Sequence, residues 1–366
     1  MNKENKRVLH VLGHLRRGGA EIFLFNMFRE VEKSGIVFDV MTRGENLPEV
    51  AEEIRMRGGK VIETPGFPKH IRKNYRCMKR FFKEHGTEYR AIHVHANSLL
   101  YLLPLRLAKK YGIPIRILHS HNTHPEKSLY KGLHYLNRAR LGRLATKRVA
   151  CSAAAGRWMF GKKTYEQVRN AIDVSKFVYN EQVREKLRAQ YRVSDVPVIG
   201  TVGRLEQQKN HFFLLDVFCE VRKRTDAVLF IIGEGSLEEK LKLYAKEKGV
   251  EASVVFLKNI ANVNDYLQMM DVFVLPSLYE GLGISVIEAQ TAGLQVVISD
   301  RVPEEAVLIP ENVRRMKLGA AEEWAEVITE LGKRPQGTRK SWDKTVTECG
   351  YDSATEAKKL VKLYEL

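Results

Sequence analysis

The sequence predicts an α/β protein of two domains, each with a parallel sheet covered by helices. Short apolar runs alternate with helical periodicity along the chain, which is the pattern of parallel strands joined by crossover helices. A length of 366 residues is long for one domain and comfortable for two. A polar stretch at residues 170–195, with few strand formers, separates two similarly built halves.

The predicted strands form two series of short apolar runs. In the first half they are residues 8–12, 37–41, 59–63, 91–95, 115–119 and 148–152. In the second half they are residues 198–202, 227–233, 253–257, 272–275 and 295–298. Ligands of open α/β sheets bind at the carboxyl ends of the strands, so the loops that follow these runs are candidate sites.

Two carboxylates bracket a glycine loop after the fourth strand of the second half. Glu280 precedes Gly283, and Glu288 lies about one turn into a helix that opens near Ile284. Free N–H groups at this helix start, including that of Ser285, are suited to a phosphate, and Glu288 is suited to paired sugar hydroxyls. On this stretch alone, an ordinary loop with two solvated glutamates is equally consistent.

Two cations follow the first strand of the second half. Arg204 ends that strand with Gly203, and Lys209 lies five residues later, before a helical pattern. Arginine offers a planar fork to phosphate and lysine a point charge, so together they suit a diphosphate. A pair of this kind is otherwise more often a solvated loop.

Two further glycine segments follow predicted strands. Gly18 and Gly19 come after the first strand and open a helix, an arrangement that makes an anion site. Neither a dinucleotide-binding fingerprint nor a Walker A loop is present, and a simple tight turn remains an alternative. Gly233 ends the second strand of the second half, before a helix that starts near Ser236.

Histidines cluster near two strand ends in the first half. His93 and His95 lie on one predicted strand, and His119, His121 and His124 follow the next. Cysteine and carboxylate ligands are missing at matching spacings, so we expect no metal here. His119 and His121, two residues apart, should share one face, and a core role is expected for His93 and His95.

The order of these motifs resembles that of the retaining, nucleotide-sugar-dependent glycosyltransferases of family 4. The His-Ser-His-Asn and Tyr-Glu-Gly-Leu segments are similar to those of bacterial capsular and exopolysaccharide transferases. The resemblance spans nearly the whole chain and is carried by Gly18-Gly19-Ala20-Glu21, His119-Ser120-His121-Asn122, Asn170-Ala171-Ile172-Asp173, Gly203-Arg204-Leu205 with Lys209-Asn210, Gly233-Glu234-Gly235, and residues 280–288.

The resemblance implies the GT-B fold, in which two Rossmann-like α/β domains with parallel sheets face a deep interdomain cleft. An acceptor-binding domain is expected at residues 1–175 and a nucleotide-sugar-binding domain at residues 176–350. A last helix, at residues 351–366, is expected to return to the first domain.

The resemblance also implies transfer of a sugar, with retention, from a nucleoside diphosphate sugar to a glycan or lipid-linked acceptor. The cations Arg204 and Lys209 would stabilise the leaving diphosphate, which makes a metal or other cofactor unnecessary. Glu280 would face the donor sugar, Glu288 the ribose, and His119 the region of the anomeric carbon and primary hydroxyl. The other expected donor-binding residues are Gly18, Gly19, Gly233, Gly283, Ile284 and Ser285.

The net charge of +17 favours an anionic partner. Two segments, residues 67–83 and 127–148, carry many cations and no acid. We attribute the excess to an anionic membrane surface that presents a polyprenyl-diphosphate-linked acceptor. Each segment also has an apolar stripe, which we expect to pack on the sheet. The stripes are Ile71, Tyr75, Met78 and Phe82 in one segment and Leu129, Leu133 and Leu136 in the other.

Three features of the sequence indicate where the protein is located, and two alternative functions stay open. No apolar run spans a bilayer, the charged start lacks a signal peptide, and four scattered cysteines indicate no disulfide scaffold, so a cytoplasmic, peripherally membrane-associated protein is expected. A nucleotide-sugar epimerase or phosphorylase on the same fold stays open. A basic nucleic-acid-binding protein is a further alternative, although the cationic stretches lack interleaved aromatic residues.

Overall fold

The computed structural model describes residues 6–15, 19–44, 46, 48–121, 131–258, 260, 262–333 and 339–365. The chain forms two compact units. Unit 1 comprises Met1–Ile172 together with Gly350–Leu366, and unit 2 comprises Asp173–Cys349. Each unit contains a parallel sheet, as the alternation of strands and helices predicted.

Unit 1 is built on a seven-stranded sheet with the strand order β3-β2-β1-β4-β5-β6-β7. Its strands are β1 (Arg7–Val11), β2 (Val37–Thr42), β3 (Val61–Glu63), β4 (Ala91–Ala96), β5 (Ile115–Ser120), β6 (Lys147–Ala150) and β7 (Glu166–Gln167). Its helices are α1 (Gly19–Glu32), α2 (Pro48–Met56), α3 (Ile71–His85), α4 (Leu103–Lys110), α5 (Lys131–Arg140), α6 (Ala153–Phe160) and, after unit 2, α14 (Ser353–Tyr364).

Two apolar cores cover the two faces of this sheet. On one face, α14 packs beside α1, and Leu360, Leu363 and Tyr364 join Phe23 and Phe28 in one buried cluster. On the other face, α3, α4 and α6 bury Met78, Phe82 and further residues against the strands. Burial of large side chains on both faces is typical of parallel sheets, because crossover helices cover each side.

Unit 2 has a six-stranded sheet with the strand order β10-β9-β8-β11-β12-β13. Its strands are β8 (Val198–Val202), β9 (Val228–Ile232), β10 (Val254–Leu257), β11 (Val272–Leu275), β12 (Gln295–Ser299) and β13 (Val313–Met316). Its helices are α7 (Glu181–Tyr191), α8 (His211–Arg222), α9 (Glu238–Glu247), α10 (Val263–Met269), α11 (Ile284–Thr291), α12 (Ala321–Gly332) and α13 (Asp343–Glu348).

Both sheets reverse their winding direction beside their first strand. In unit 1 the chain builds outward from β1 through β2 and then returns to add β4 on the other side. In unit 2 the same reversal places β9 and β11 on opposite sides of β8. Ligands of open α/β sheets bind at the carboxyl ends of strands beside such a reversal, so these two sheet edges are candidate ligand-binding sites.

The sequence prediction missed two strands, and both lie at sheet edges. β7 is only two residues long and polar, and β13 carries two exposed arginines, Arg314 and Arg315. Neither has the apolar run by which the other strands were predicted. Short and charged edge strands protect a sheet from unwanted pairing, and the same features hide them from a hydrophobicity pattern.

The expectation that both apolar stripes pack on the sheet was wrong for two of the four stripe residues in α3 and for both described stripe residues in α5. In α3, Met78 and Phe82 are buried, but Ile71 is 57% exposed and Tyr75 is 43% exposed. In α5, Leu133 and Leu136 are also exposed. Periodicity identifies the apolar face of a helix but not what covers it. Leu129 lies outside the described residues. Within the described chain, no helix combines the length and apolar character needed to cross a membrane.

Candidate functional site

The predicted donor-binding residues of unit 2 follow three neighbouring strands. Gly233 follows β9, Arg204 and Lys209 follow β8, and Glu280 follows β11. Because parallel strands end at the same edge, these loops come together where the sheet reverses its winding. The backbone N–H of Leu278 donates to the carbonyl oxygen of Gln208 at 2.8 Å, which ties the loops after β8 and β11 to each other.

Lys209 and Glu280 form a partly buried ion pair at this edge. Lys209 Nζ lies 2.7 Å from Glu280 Oε1, and their side chains are 13% and 6% exposed. Ser277 donates from Oγ to the same carboxylate oxygen at 2.6 Å, so Glu280 is held in one orientation. A buried carboxylate and ammonium in contact compensate each other, and removal of either leaves the other charge unpaired.

Arg204 lies on the same loop, where its side chain is exposed. Its Nη2 is 3.4 Å from Gln208 Oε1, and Gln208 in turn donates to the carbonyl oxygen of Tyr279 at 3.0 Å. Arg204 therefore keeps most of its five donors available to an anion. The structure thus places Arg204, Lys209 and Glu280 at one sheet edge.

The helix α11 begins at Ile284, directly after Gly283, which has a φ of +88°. That left-handed conformation favours glycine, and the first N–H groups of α11, including that of Ser285, have no acceptor within the helix. Glu288 lies one turn further along. Burial raises the pKa of Glu288 to about 7, and the positive charge of Lys209 opposes this shift.

Gly233 occupies a point where two backbones meet. A Cβ atom there would overlap the carbonyl oxygen of Gly203, and the φ of Gly233 is +150°. Gly233 donates its own N–H to the carbonyl oxygen of Leu257 at 2.8 Å. A glycine is therefore required here by the packing of neighbouring strand ends. Its predicted place near the nucleotide stays a prediction.

Five histidines meet at the carboxyl end of the sheet in unit 1. His10 lies on β1 opposite His93 of β4, and His95 of β4 lies opposite His119 of β5. The rings of His119 and His121 are 4.0 Å apart, which confirms that the two side chains share a face. Gly19 is the first residue of α1, whereas Gly18, Asn122 and His124 lie outside the described residues.

All five imidazoles are driven towards the neutral form. Burial, reinforced by the neighbouring rings, lowers the pKa of His10, His93, His95 and His119 well below the usual value. Burial also lowers the pKa of His121 to about 4, and Asn170 partly opposes that shift. The resemblance implies a catalytic role for His119. Because its ring is neutral, His119 can only donate or accept hydrogen bonds there, without a charge.

Three of these rings also come close enough for a metal ion. The nitrogen atoms of His95, His119 and His121 lie within 4.8 Å of one another, as do those of His10, His93 and His95. Hydrogen bonds between the rings already use most of these nitrogens, and only His119 Nε2 and His121 Nδ1 lack a partner among the described residues. An ion bound by three rings would have to break those hydrogen bonds.

Sequence reasoning missed two members of this cluster, Tyr364 and His10. The hydroxyl of Tyr364, on α14, lies 2.7 Å from His93 Nδ1 and 3.5 Å from His10 Nε2. Nothing in the sequence pairs Tyr364 with a histidine 271 residues away. His10 likewise read only as part of an apolar strand.

The fold defines the class of protein. The chain superposes on the Anabaena protein HepE, solved in complex with UDP-glucose, with a TM-score of 0.72 at 18% identity, over 97% of this chain and 94% of that chain. With two parallel sheets of this order, that likeness places the chain in the GT-B class of folds and confirms the predicted fold.

Sequence comparisons identify the family. Residues 17–199 match the family described as Glycosyltransferase Family 4, and residues 183–348 match Glycosyl transferases group 1. A Bacillus subtilis protein named as the glycosyltransferase EpsF is 32% identical over 100% of this chain and 98% of its own length. The Staphylococcus aureus capsular polysaccharide biosynthesis glycosyltransferase CapH is 23% identical over 82% of each chain. The chain belongs to glycosyltransferase family 4 and is a transferase enzyme, as predicted.

Proposed function

We propose that this enzyme transfers a sugar, with retention of anomeric configuration, from a UDP-sugar to a glycan or polyprenyl-diphosphate-linked acceptor during synthesis of a bacterial capsule or exopolysaccharide. The observation that carries the proposal is the meeting of Arg204, Lys209 and Glu280 at the edge of the unit 2 sheet. The UDP-glucose held by HepE and the polysaccharide role in the name of CapH support the donor and the pathway.

The proposed chemistry centres on the leaving diphosphate. As the bond to the anomeric carbon breaks, negative charge develops on the diphosphate oxygens, and preorganised cations lower the barrier most effectively there. Arg204 and Lys209 meet that charge, together with the N–H groups of Ile284 and Ser285. These donors make a metal ion unnecessary, so we propose metal-independent transfer with no cofactor.

The carboxylates take different parts in this proposal. Glu280, held by Lys209 and Ser277, faces the donor sugar, where it accepts from hydroxyls or stabilises positive charge at the anomeric carbon. Glu288 accepts hydrogen bonds from the ribose hydroxyls. The remaining donor contacts are assigned to Gly18, Gly19, Gly233, Gly283 and, near the primary hydroxyl of the sugar, His119.

The exposed side of unit 1 supports a membrane-bound acceptor. A pocket of about 590 Å³ lies between α3 and α4, with Ile71, Tyr75 and Leu103 among its apolar lining residues. Four cations surround the same pocket, namely Arg72, Arg76, Lys79 and Arg106. An apolar surface ringed by positive charge suits anionic lipid, so we propose peripheral attachment to the inner face of the plasma membrane.

The reaction is tested by mass spectrometry of the purified protein with a panel of nucleotide sugars. We expect one UDP-sugar to be hydrolysed slowly without acceptor, and the rate to survive EDTA. A strict need for added manganese or magnesium would contradict the proposed role of Arg204 and Lys209. Conversion of the donor to an isomeric nucleotide sugar would instead identify an epimerase.

The membrane surface is tested with anionic vesicles. Replacement of Arg72, Lys73, Arg76, Lys79 and Arg80 by glutamine should weaken binding, because each cation near an anionic surface contributes about 1 kcal/mol. Added salt should weaken binding by the parent protein, and donor hydrolysis should be unchanged in the variant. A matched control replaces five exposed cations of unit 2, namely Lys223, Arg224, Lys240, Lys246 and Lys248. Equal vesicle binding by both variants would refute the assignment to α3.

A further inference from the structure

Gln208 joins the two loops of unit 2 that carry Arg204 and Glu280. Its backbone carbonyl oxygen accepts from the N–H of Leu278 at 2.8 Å, and its side-chain Nε2 donates to the carbonyl oxygen of Tyr279 at 3.0 Å. Two successive residues of the loop after β11 are thus held by one residue of the loop after β8. Glu280 is the next residue of the chain, so Gln208 helps to fix its position.

The side-chain amide of Gln208 also contacts both charged side chains. Its Oε1 is 3.4 Å from Arg204 Nη2, and its Nε2 is 3.4 Å from Glu280 Oε2. Both distances exceed those of ordinary hydrogen bonds, so these contacts orient the two side chains without holding either one tightly. An amide offers an acceptor to the cation and a donor to the carboxylate, yet it carries no charge of its own.

Arg204 keeps its charge free of a carboxylate partner. Among the described residues, no acidic side chain forms an ion pair with it, and its side chain is exposed. The two carboxylates on these loops are occupied by other groups. Glu280 Oε1 is paired with Lys209 Nζ at 2.7 Å, and Glu206 accepts from the N–H of Ser236 at 3.0 Å and from its hydroxyl at 2.8 Å. An unpaired guanidinium retains its fork of donors for an incoming anion.

We propose that Gln208 is a positioning residue that acts as an uncharged spacer. It fixes the loop of Glu280 and leaves the charge of Arg204 available to the diphosphate of the donor. The inference rests on the proposed function only for the identity of that anion. A carboxylate in place of the amide would pair with Arg204, because hydrogen bonds between ionised groups are about twice as strong as those between neutral groups.

The availability of Arg204 is measured without any substrate by its reaction with phenylglyoxal, which is slower for an arginine paired with a carboxylate. Mass spectrometry of peptides from the modified full-length protein gives the rate at Arg204. We expect Gln208→Glu to slow this rate severalfold, because the introduced carboxylate pairs with the guanidinium. Gln207→Glu is the matched control, since it adds the same charge at the exposed neighbouring residue and should leave the rate unchanged. An unchanged rate in Gln208→Glu, or equal slowing in both variants, would overturn the proposal.

Calorimetric titration with UDP provides a second readout. Gln208→Glu should weaken UDP binding by about tenfold, the size of one charge-assisted hydrogen bond. The same substitution made in Arg204→Ala should cause no further loss, because its effect passes through Arg204. A loss of the same size in that background would overturn the proposal, because it would show that the introduced carboxylate repels the ligand directly.

Gln208→Met separates the two parts of the spacer and adds no charge that could disturb folding. It removes the amide but leaves Arg204 unpaired, so the affinity for UDP should stay near that of the parent while kcat falls as the loop of Glu280 loosens. Weakening of UDP binding as large as in Gln208→Glu would overturn the proposal. If the parent protein bound no UDP while Arg204 reacted as expected, only the proposed donor would be wrong.

Discussion

The two sheet edges bury polar groups in opposite ways. At the edge of unit 1, histidines are paired with one another and with a tyrosine, and burial lowers the pKa of each ring. At the edge of unit 2, Glu280 is paired with Lys209 across 2.7 Å. A buried group without an opposite charge becomes neutral, whereas a contacting counter-ion compensates the charge.

Glu288 shows the rule within unit 2 itself. It lies near the same edge, yet no cation contacts it among the described residues, and burial raises its pKa to about 7. The contrast teaches that unit 2 keeps ionised groups at its edge, whereas unit 1 offers directional hydrogen bonds without charge. We expect the charged edge to contribute more to the rate than the neutral one.

The largest effect is expected from breaking the ion pair. Lys209→Ala should reduce turnover by at least about a hundredfold, because it removes a stabiliser of the leaving diphosphate worth about 3 kcal/mol. Steady-state kinetics with the donor found by the nucleotide-sugar panel measure the loss. Lys223→Ala, an exposed lysine of unit 2 paired with Glu220, is the control. A near-normal rate in Lys209→Ala would show that Lys209 does not stabilise the leaving diphosphate.

A pH-dependent change in stability should follow from Glu288. Its pKa is raised in the folded state, so its favourable contribution is complete below about pH 4.5 and is lost as pH rises through about 7. Glu288→Gln should therefore gain stability relative to the parent as pH rises, by up to roughly 3 kcal/mol. Urea unfolding at several pH values measures this.

The exposed Glu239→Gln provides the comparison for that experiment, because its side chain is 82% exposed. Parallel stability profiles for the parent and Glu288→Gln would show that the pKa of Glu288 is not raised in the folded state. Donor binding gives an independent check. If ribose hydroxyls donate to the ionised carboxylate, the affinity of the parent protein for donor should fall as pH drops below about 7.

The smallest effect is expected at the neutral edge. His119→Ala should lower kcat/KM by about tenfold, because a neutral hydrogen bond contributes about 1 kcal/mol. His134→Ala, which removes a buried histidine of unit 1 stacked on Trp158, should reduce stability without this loss. If His119→Ala were as damaging as Lys209→Ala, the difference drawn between the two edges would be wrong.

Local patterns in the sequence were sufficient for much of this structure. Each apolar run that predicted a strand forms one in the structure. The residues that follow β8 and β11 lie close together because neighbouring parallel strands end at the same edge of the sheet. What could not be predicted depends on distant contacts. Tyr364 reaches His93 only through the packing of α14 on α1. The exposure of Ile71 and Leu136 depends on whether another element packs over them, which the periodicity of their own helices does not show.

The division of unit 1 along the chain has a consequence for biosynthesis. Helix α14, which completes its core, is translated only after the whole of unit 2, and the contact between His10 and Tyr364 spans 354 residues. At typical ribosomal speeds, the delay is roughly ten seconds or more. During that time the apolar face of α1 has no α14 to cover it. Unit 1, although begun first, therefore cannot complete its core until unit 2 has been synthesised.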